Sequence, residues 1–528
     1  MDKKPFYYRL VLLFLLVSVV PGAACNFPFR ANSSGQVNDL QHTLTALATL
    51  IPDEKTPVPG NEEVSEPFSG ANTPTALPTA ASFQRPEPPQ FDPGRNSFTY
   101  LAMAGDTPEA VAKRFGVEPE QIISDEIYPG KGLLTPGQVL EIPNELGETR
   151  YTEILLPDSE VVNSPSARDF NINEFIQTAG GYLAEHRELV NGSWMSAAEI
   201  VTKVSMENSI NPRLLLALLE LRSGWVYGDR GDPEQLNYPI GFYVPDYQGL
   251  YYELVLTATH LGVGYYGWRS GDKVALTFQD GGWLRMAPGI NPGTAALQTV
   301  LSKISTQAEW RDTLYGGEGI VPLYAAMYGD PWSRAAQFEP LFWPDLAQPA
   351  LLLPFLPGER WSFTGGPHRS WNAGSPRGAL DFSPATGEPA CSTSRAWVTA
   401  SAEGIITRTS DNVLAIDLDG DGNEQTGWVL VYLHIVIGDE IHAGKPVNAD
   451  DALGHPSCER GNSTGTHIHI ARKYNGEWIP AGEPIPFTMS GWETKMGERS
   501  YEGQLQKGDL TISANPGGPS SSLITRQE

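Results

Sequence analysis

Near the C-terminal end, Ser463-Thr464-Gly465-Thr466-His467-Ile468-His469 sets two imidazoles two residues apart in a short strand-like run. Successive side chains on a strand alternate, so His467 and His469 share a face. The chain has nine histidines in all, which makes such a pairing worth a chemical reading. Neutral imidazole is a zinc ligand and also a general base near neutral pH. A hydrolytic zinc centre needs both kinds of group. Two other segments offer the remaining parts: Gly365-Gly366-Pro367-His368 with Leu380-Asp381-Phe382, and Val429-Leu430-Val431-Tyr432-Leu433-His434. A catalytic zinc takes three protein ligands and leaves the fourth position to water, and two imidazoles with one carboxylate are a common set. His368, Asp381 and one of His467 and His469 complete such a set. The competing reading makes His434 and His467 satisfied core histidines on apolar strands.

The elements that must hold these residues are strands. Val413 to Ile416 and Trp428 to His434 flank an acidic loop, Asp417-Leu418-Asp419-Gly420-Asp421-Gly422-Asn423. Asp417, Asp419 and Asp421 alternate, with Gly at the sixth position, as in a calcium loop. The twelfth position, which should carry a bidentate Glu, is Trp428. A Ca2+ site and a long hairpin turn are both open there.

The three histidine segments together resemble the lysostaphin/LytM-type zinc peptidases, family M23, over roughly Trp361 to Tyr501. Gly438-Asp439-Glu440-Ile441 with Ala443-Gly444 is similar to a hairpin of that family. Twelve residues separate His368 from Asp381, which resembles the β-lytic branch. The resemblance implies an antiparallel all-β domain with Zn2+ held by His368, Asp381 and His469. His434 and His467 would flank the open position, one taking the proton of water and the other stabilising the oxyanion. The implied substrate is a peptide bond in the stem or cross-bridge of peptidoglycan.

Composition frames the rest. A chain of 528 residues is long enough for about three domains. A formal net charge of −26 argues against nucleic acid and anionic lipid surfaces as partners. Lys3, Lys4 and Arg9 precede an apolar run, Leu10 to Val20, that reads as an export signal. Gly22-Ala23-Ala24-Cys25 resembles a bacterial lipobox, which would make Cys25 a lipid anchor to the membrane. Ordinary signal-peptidase cleavage and an uncleaved anchor are the alternatives. The expected location is outside the cytoplasm, in the cell envelope. Of three cysteines, Cys391 and Cys458 remain to form a disulfide in an oxidising compartment, or stay unpaired.

The expected order begins with a signal over 1–25 and a disordered Pro/Thr/Ser-rich tether over 26–97. Residues 98–144 read strand, helix, helix, strand: Phe98 to Leu101, Pro108 to Phe115, Glu118 to Ser124 and Val139 to Ile142. With Pro136-Gly137-Gln138, Leu140 and Ile142-Pro143, this segment resembles a LysM module. The resemblance implies a glycan groove at Gly105, Asp106, Thr107 and Pro108 and, across it, Asp125. A small structural βααβ unit is the alternative.

Residues 160–345 read as an all-α domain, with Asn211-Pro212 starting a helix. Ser209 to Leu219 resembles the first helices of lysozyme-like domains. The catalytic glutamate of such domains falls on Arg222, which cannot act as a general acid. A glycan-cleaving role is therefore disfavoured. An all-β zinc peptidase domain over 355–505 and a flexible tail over 506–528 complete the expectation. The whole reads as an exported peptidoglycan hydrolase of multidomain fold. A non-catalytic wall scaffold or hydrolase activator is the rival from another class. His42, His186, His260, His442 and His455 receive no role.

Overall fold

The computed structural model describes residues 85–126, 131–461, 463–518 and 520–527. The expected signal, Cys25 and most of the tether lie outside the described residues.

The first folded unit is a three-stranded antiparallel sheet of β1 (Gln90–Asp92), β2 (Ser97–Leu101) and β3 (Val139–Pro143), covered by helix α1 (Pro108–Phe115). Thr107 caps α1, its Oγ1 accepting from the Ala110 N–H, and Pro108 sits where a missing N–H costs nothing. Two expectations need correction. The tether ends earlier than residue 97, because Phe91 packs on Phe98 at 5.4 Å between ring centroids and β1 joins the sheet. The second helix is only a 3-10 turn, Pro119–Gln121, after which Ile123 bridges to Glu141.

The middle region is mainly helical around α2 (Ala197–Asn208), α3 (Pro212–Ser223), α4 (Leu250–Arg269) and α5 (Pro292–Ser302). Ser196 and Glu199 form a reciprocal capping box on α2, and Asn211 caps α3. α4 is apolar nearly all round, as a helix buried on every side must be. The region is not all-α: Arg187–Val190 pairs with Ser193–Ser196, and Ala275–Thr277 with Trp283–Arg285.

The C-terminal region is built on a nine-stranded antiparallel sheet. Its main strands are β4 (Arg360–Arg369), β5 (Arg377–Pro384), β6 (Gly404–Ser410), β7 (Val413–Asp417), β8 (Trp428–Leu433) and β9 (Ile468–Tyr474). Across the sheet the order is Pro446–Val447, β6, β7, β8, β9, β5, β4, Leu523–Thr525, with Glu477–Trp478 pairing β9. The expected flexible tail is thus part of the fold. Gly503–Lys507 and Leu510–Ser513 form a hairpin, and Leu523, Ile524 and Thr525 pair with Ser362, Trp361 and Arg360.

β8 is apolar at every position because both of its faces are covered. Leu430 and Tyr432 enter one core with Leu380, Phe382, Ile468 and Ile470. Val429, Val431, Leu433 and Ala471 instead join the core of the middle region. The two regions therefore share one hydrophobic core across this face of the sheet. The loop from Ser370 to Pro376 is clasped as well, with Asn372 Nδ2 donating to Thr259 Oγ1 (3.0 Å) and Asn208 Oδ1 (2.5 Å).

Candidate metal centre

Asp381 and His469 face each other across the β5–β9 ladder, and β4 brings His368 alongside. All three point to the face covered by the middle region, since their neighbours Leu380, Phe382, Ile468 and Ile470 enter the opposite core. His368 Nε2 lies 3.0 Å from His469 Nδ1 and 3.2 Å from Asp381 Oδ1, and His469 Nδ1 lies 3.3 Å from the same oxygen. Both imidazoles are fully buried and the aspartate nearly so.

The outer nitrogens fix what the inner ones can do. His368 Nδ1 donates to the Gly366 carbonyl at 2.9 Å, and His469 Nε2 donates to the Ser370 carbonyl at 3.1 Å. In the neutral rings the protons are then on the outside, and two lone pairs converge on a carboxylate oxygen. Asp381 Oδ1 has no hydrogen-bond partner. Such a buried arrangement is repulsive unless a cation sits at its centre. Donors placed about 2.0–2.1 Å from one tetrahedral ion would stand about 3.3–3.4 Å apart, close to the spacing seen. The residues fit zinc.

Local sequence explains how tightly the cage is built. A Cβ on Gly365 would collide with the Asp381 carboxylate, and one on Gly366 with the Glu502 backbone. Tyr501 stacks on His368 with ring centroids 4.2 Å apart and planes within 18°.

Two more imidazoles complete the group. His467 precedes β9 rather than lying within it, bridging to Ser457, and its Nε2 is 3.8 Å from Asp381 Oδ1. Its Nδ1 donates to the Gly465 carbonyl at 2.7 Å. His434 follows β8, where simple alternation would send it to the face of Tyr432. Its backbone instead takes φ of 63°, a left-handed conformation costing about 1–3 kcal/mol for a side chain of this kind. The ring turns to the metal side, 4.5 Å from the His467 ring and 6.1 Å from that of His469. The Ser457 N–H and hydroxyl hold the His434 carbonyl, and His434 Nδ1 donates to the Glu459 carbonyl at 3.0 Å. His434 Nε2 is buried without a partner. Burial, with His467 and His469 nearby, pushes His434 down to about 3, so it is neutral at physiological pH.

The Cys391–Cys458 disulfide is present, with Cα atoms 4.9 Å apart. It ties the loop after β5 to the loop that leads into His467. Sequence reasoning missed the supporting carbonyls of Gly366, Ser370, Glu459 and Gly465, for which no side-chain signal exists. It also missed Tyr501, whose distance along the chain hides its contact with His368.

The other expected sites behave differently. Asp106 is buried and internally satisfied: Oδ2 accepts from the Tyr100 hydroxyl (2.6 Å) and the Met103 N–H (2.8 Å), and Oδ1 from Arg114 (2.5 Å). Its carboxylate is structural and does not face a glycan, which corrects that assignment. Gly105 abuts the Arg269 guanidinium, which donates to the Ala104 carbonyl, so this turn docks on α4. Pro108 is buried in the first turn of α1, Thr107 is taken up by its cap, and Asp125 is exposed.

Asp417, Asp419 and Asp421 approach within ligand reach of one another. Their oxygens are turned onto the loop's own N–H groups, with Asp417 accepting from Asp419 and Gly422 and Asp421 from Asn423. Nothing beyond this crowding favours calcium over a hairpin turn. In the middle region Arg222 donates to the Ile240 carbonyl, and Glu220 accepts from the Val226 and Tyr227 N–H groups. Glu253 accepts from three backbone N–H groups, those of Ile240, Gly241 and Phe242. None of these groups is placed as a general acid for glycan cleavage.

Residues 154–343 match the family model described as LasA, N-terminal domain. The middle region is similar to that domain. Comparison with curated proteins gives no match. Among solved structures, the chain is similar to pseudoalterin, an M23 metalloprotease from the deep sea. Identity is 23% over 32% of this chain and 96% of that one, with a TM-score of 0.26. It is also similar to the catalytic domain of the antimicrobial peptidase lysostaphin from Staphylococcus simulans, at 21% identity over 23% and 89% of the two chains and a TM-score of 0.17. A zinc-containing peptidase from Vibrio cholerae shows 18% identity over 26% of this chain and 41% of that one, with a TM-score of 0.20. Among the described residues, no helix is long and apolar enough to cross a membrane.

Proposed function

We propose that this chain is a zinc-dependent endopeptidase of the M23 type, acting on peptide bonds of peptidoglycan. The observation that carries the reading is the convergence of three inward-facing donors, on His368, Asp381 and His469, with two further imidazole nitrogens beside them. Bound there, zinc supplies a Lewis acid for the scissile carbonyl and a water acidified towards neutral pH. His368, Asp381 and His469 hold it, each fixed from outside by a backbone carbonyl or a β-ladder.

His434 and His467 both carry their proton on Nδ1, against a carbonyl, and present Nε2 as an acceptor. Each is set to receive a proton rather than give one at the start of the reaction. His467, less buried and nearer the Asp381 carboxylate, is the general base. His434, whose burial opposes a charge and whose Nε2 offers a lone pair, would orient the attacking water by accepting a hydrogen bond from it. To stabilise the oxyanion it would have to take the other neutral tautomer, with its proton on Nε2. The peptide product would leave with the amine protonated by His467.

Export and lipid anchoring through Cys25 remain part of this reading. Glycan tethering by residues 98–144 does not rest on Asp106. The test uses the purified full chain, zinc and purified peptidoglycan, with products read by mass spectrometry. New free amino termini on stem or cross-bridge peptides are expected. Anhydro-sugars, or no release at all from a zinc-loaded protein, would overturn the reading.

A further inference from the structure

A cavity of about 640 Å3 lies where the small N-terminal unit, the middle region and the C-terminal sheet meet. It is next to the metal cage without being part of it. Trp478, Pro480, Ile485 and Met496 give it an apolar wall, and Arg369 and Arg377 also line it. The two arginines are directly opposed in the β4–β5 ladder, where like charges weaken the pairing.

Glu502 is the one carboxylate whose pKa Arg377 helps to lower, and only as a minor cause beside Arg499. Among the described residues neither Arg369 nor Arg377 forms an ion pair. Arg369 donates to the Ser375 carbonyl at 2.6 Å, and Arg377 to the carbonyls of Gly497 (2.9 Å) and Glu498 (3.3 Å). Of the other cations lining the cavity, Lys113 is paired with Asp272 and Arg269 with Glu477, whereas Lys131 and Lys273, like the two arginines, form no ion pair among the described residues. Glu109 and Glu483 also reach the cavity, and among the described residues neither forms an ion pair. Acidic residues outnumber basic ones 62 to 36 in this chain. Two opposed arginines that form no ion pair among the described residues are therefore unexpected on composition alone.

Position gives the pair a use. Arg369 directly follows His368, and Ser500, on the cavity wall, directly precedes Tyr501, whose ring stacks on His368. We propose that Arg369 and Arg377 form a carboxylate-binding subsite that holds an acidic peptide in this cavity, beside the metal cage. Guanidinium forks match a carboxylate in bidentate fashion, and the apolar wall takes the aliphatic part of the peptide. The choice of a peptide as ligand rests on the peptidase reading above. The subsite sets which peptides are accepted, not whether a bond is cut.

The probe is a free-acid tetrapeptide bearing a D-glutamate and a C-terminal D-alanine, titrated into the zinc-loaded full chain and followed by tryptophan fluorescence. Mass spectrometry of the peptide confirms that it stays intact during the titration. The same peptide with its carboxyl groups amidated is expected to bind at least about tenfold more weakly. Arg369→Gln with Arg377→Gln should remove this preference at unchanged zinc content, and the double Lys variant should keep part of it. Equal binding of acid and amide to the unaltered protein overturns the proposal, and that comparison needs no variant to fold. Inorganic phosphate competing more tightly than the peptide also overturns it. Loss of hydrolysis with the acid preference intact would count against the peptidase reading alone.

Discussion

Two buried aspartates, one in each terminal part of the molecule, show how differently the same side chain can be used. Asp106 has both oxygens filled from its own unit, by a hydroxyl, a backbone N–H and the Arg114 guanidinium. Asp381 has an oxygen that receives no hydrogen bond and faces two imidazole lone pairs. A satisfied buried carboxylate stabilises a fold, whereas an unsatisfied one among converging donors signals a missing ligand. Single orphaned atoms do not carry that meaning. Trp225 Nε1 and Trp478 Nε1 are also buried without partners, and nothing converges on them.

The sharpest way to break the contrast is to delete a member of each group. His469→Ala should abolish zinc binding, read by metal analysis after dialysis, and reduce hydrolysis to background. Full metal content in that variant would remove His469 from the cage. His467→Ala should keep its zinc and lose about 10²–10⁴-fold in kcat, the usual weight of a general base. Zinc loss in step with activity would instead make His467 a ligand.

Asp106→Ala tests the other side. It leaves Arg114 buried and unpaired, which costs about 3–5 kcal/mol, seen as early unfolding of the N-terminal unit in urea. Zinc content and kcat should be unchanged. A fall in either would mean that this unit supports the site through the turn docked on Arg269.

His434 adds a pH dependence of known sign. Its pKa is about 3 folded, against the ordinary value near 6.5, so between those limits the unfolded chain binds the extra proton. Stability from this group is full above pH 6.5 and falls by about 1.4 kcal/mol per unit as the pH drops towards 3. In urea titrations at pH 7, 6, 5 and 4, His434→Gln should lack that component, so its deficit relative to the unaltered protein shrinks on acidification. A constant difference across the series would place His434 in contact with solvent.

The cage was legible because its ligands are side chains of rare type in short, spaced segments. The orientation of His434 was not, since alternation along β8 points it the wrong way and only a left-handed backbone re-aims it. The tail was misread for a related reason. Asn515 to Ser522 is Gly-, Pro- and Ser-rich, and the strand Leu523–Thr525 gains its order from β4, far away in sequence. Asp106 lies in the turn to which the LysM resemblance assigns a groove, and nothing in the sequence shows that Arg114 reaches its carboxylate. The sharing of a core between the middle region and the sheet did leave a trace. Val429 to Leu433 is apolar without alternation, a pattern that calls for cover on both faces.

The acidic loop gives the smallest expected effect and the finest test of the contrast. Asp417, Asp419 and Asp421 are as crowded as a metal site, and burial together with Asp419 pushes Asp417 up to about 8. Crowding alone would predict calcium binding. The oxygens, however, are already engaged by the N–H groups of Asp419, Gly422, Asp421 and Asn423, and Thr426 donates to Asp421. A cation would have to displace those bonds, whereas in the zinc cage it displaces none. The melting temperature of zinc-loaded protein should therefore change by no more than about 1 °C between excess Ca2+ and a calcium-selective chelator, since binding linkage adds stability only where the folded state offers affinity. A rise of several degrees with Ca2+ would show that carboxylates can be both satisfied and ligating here, and unfilled lone pairs would lose their value as the mark of a site.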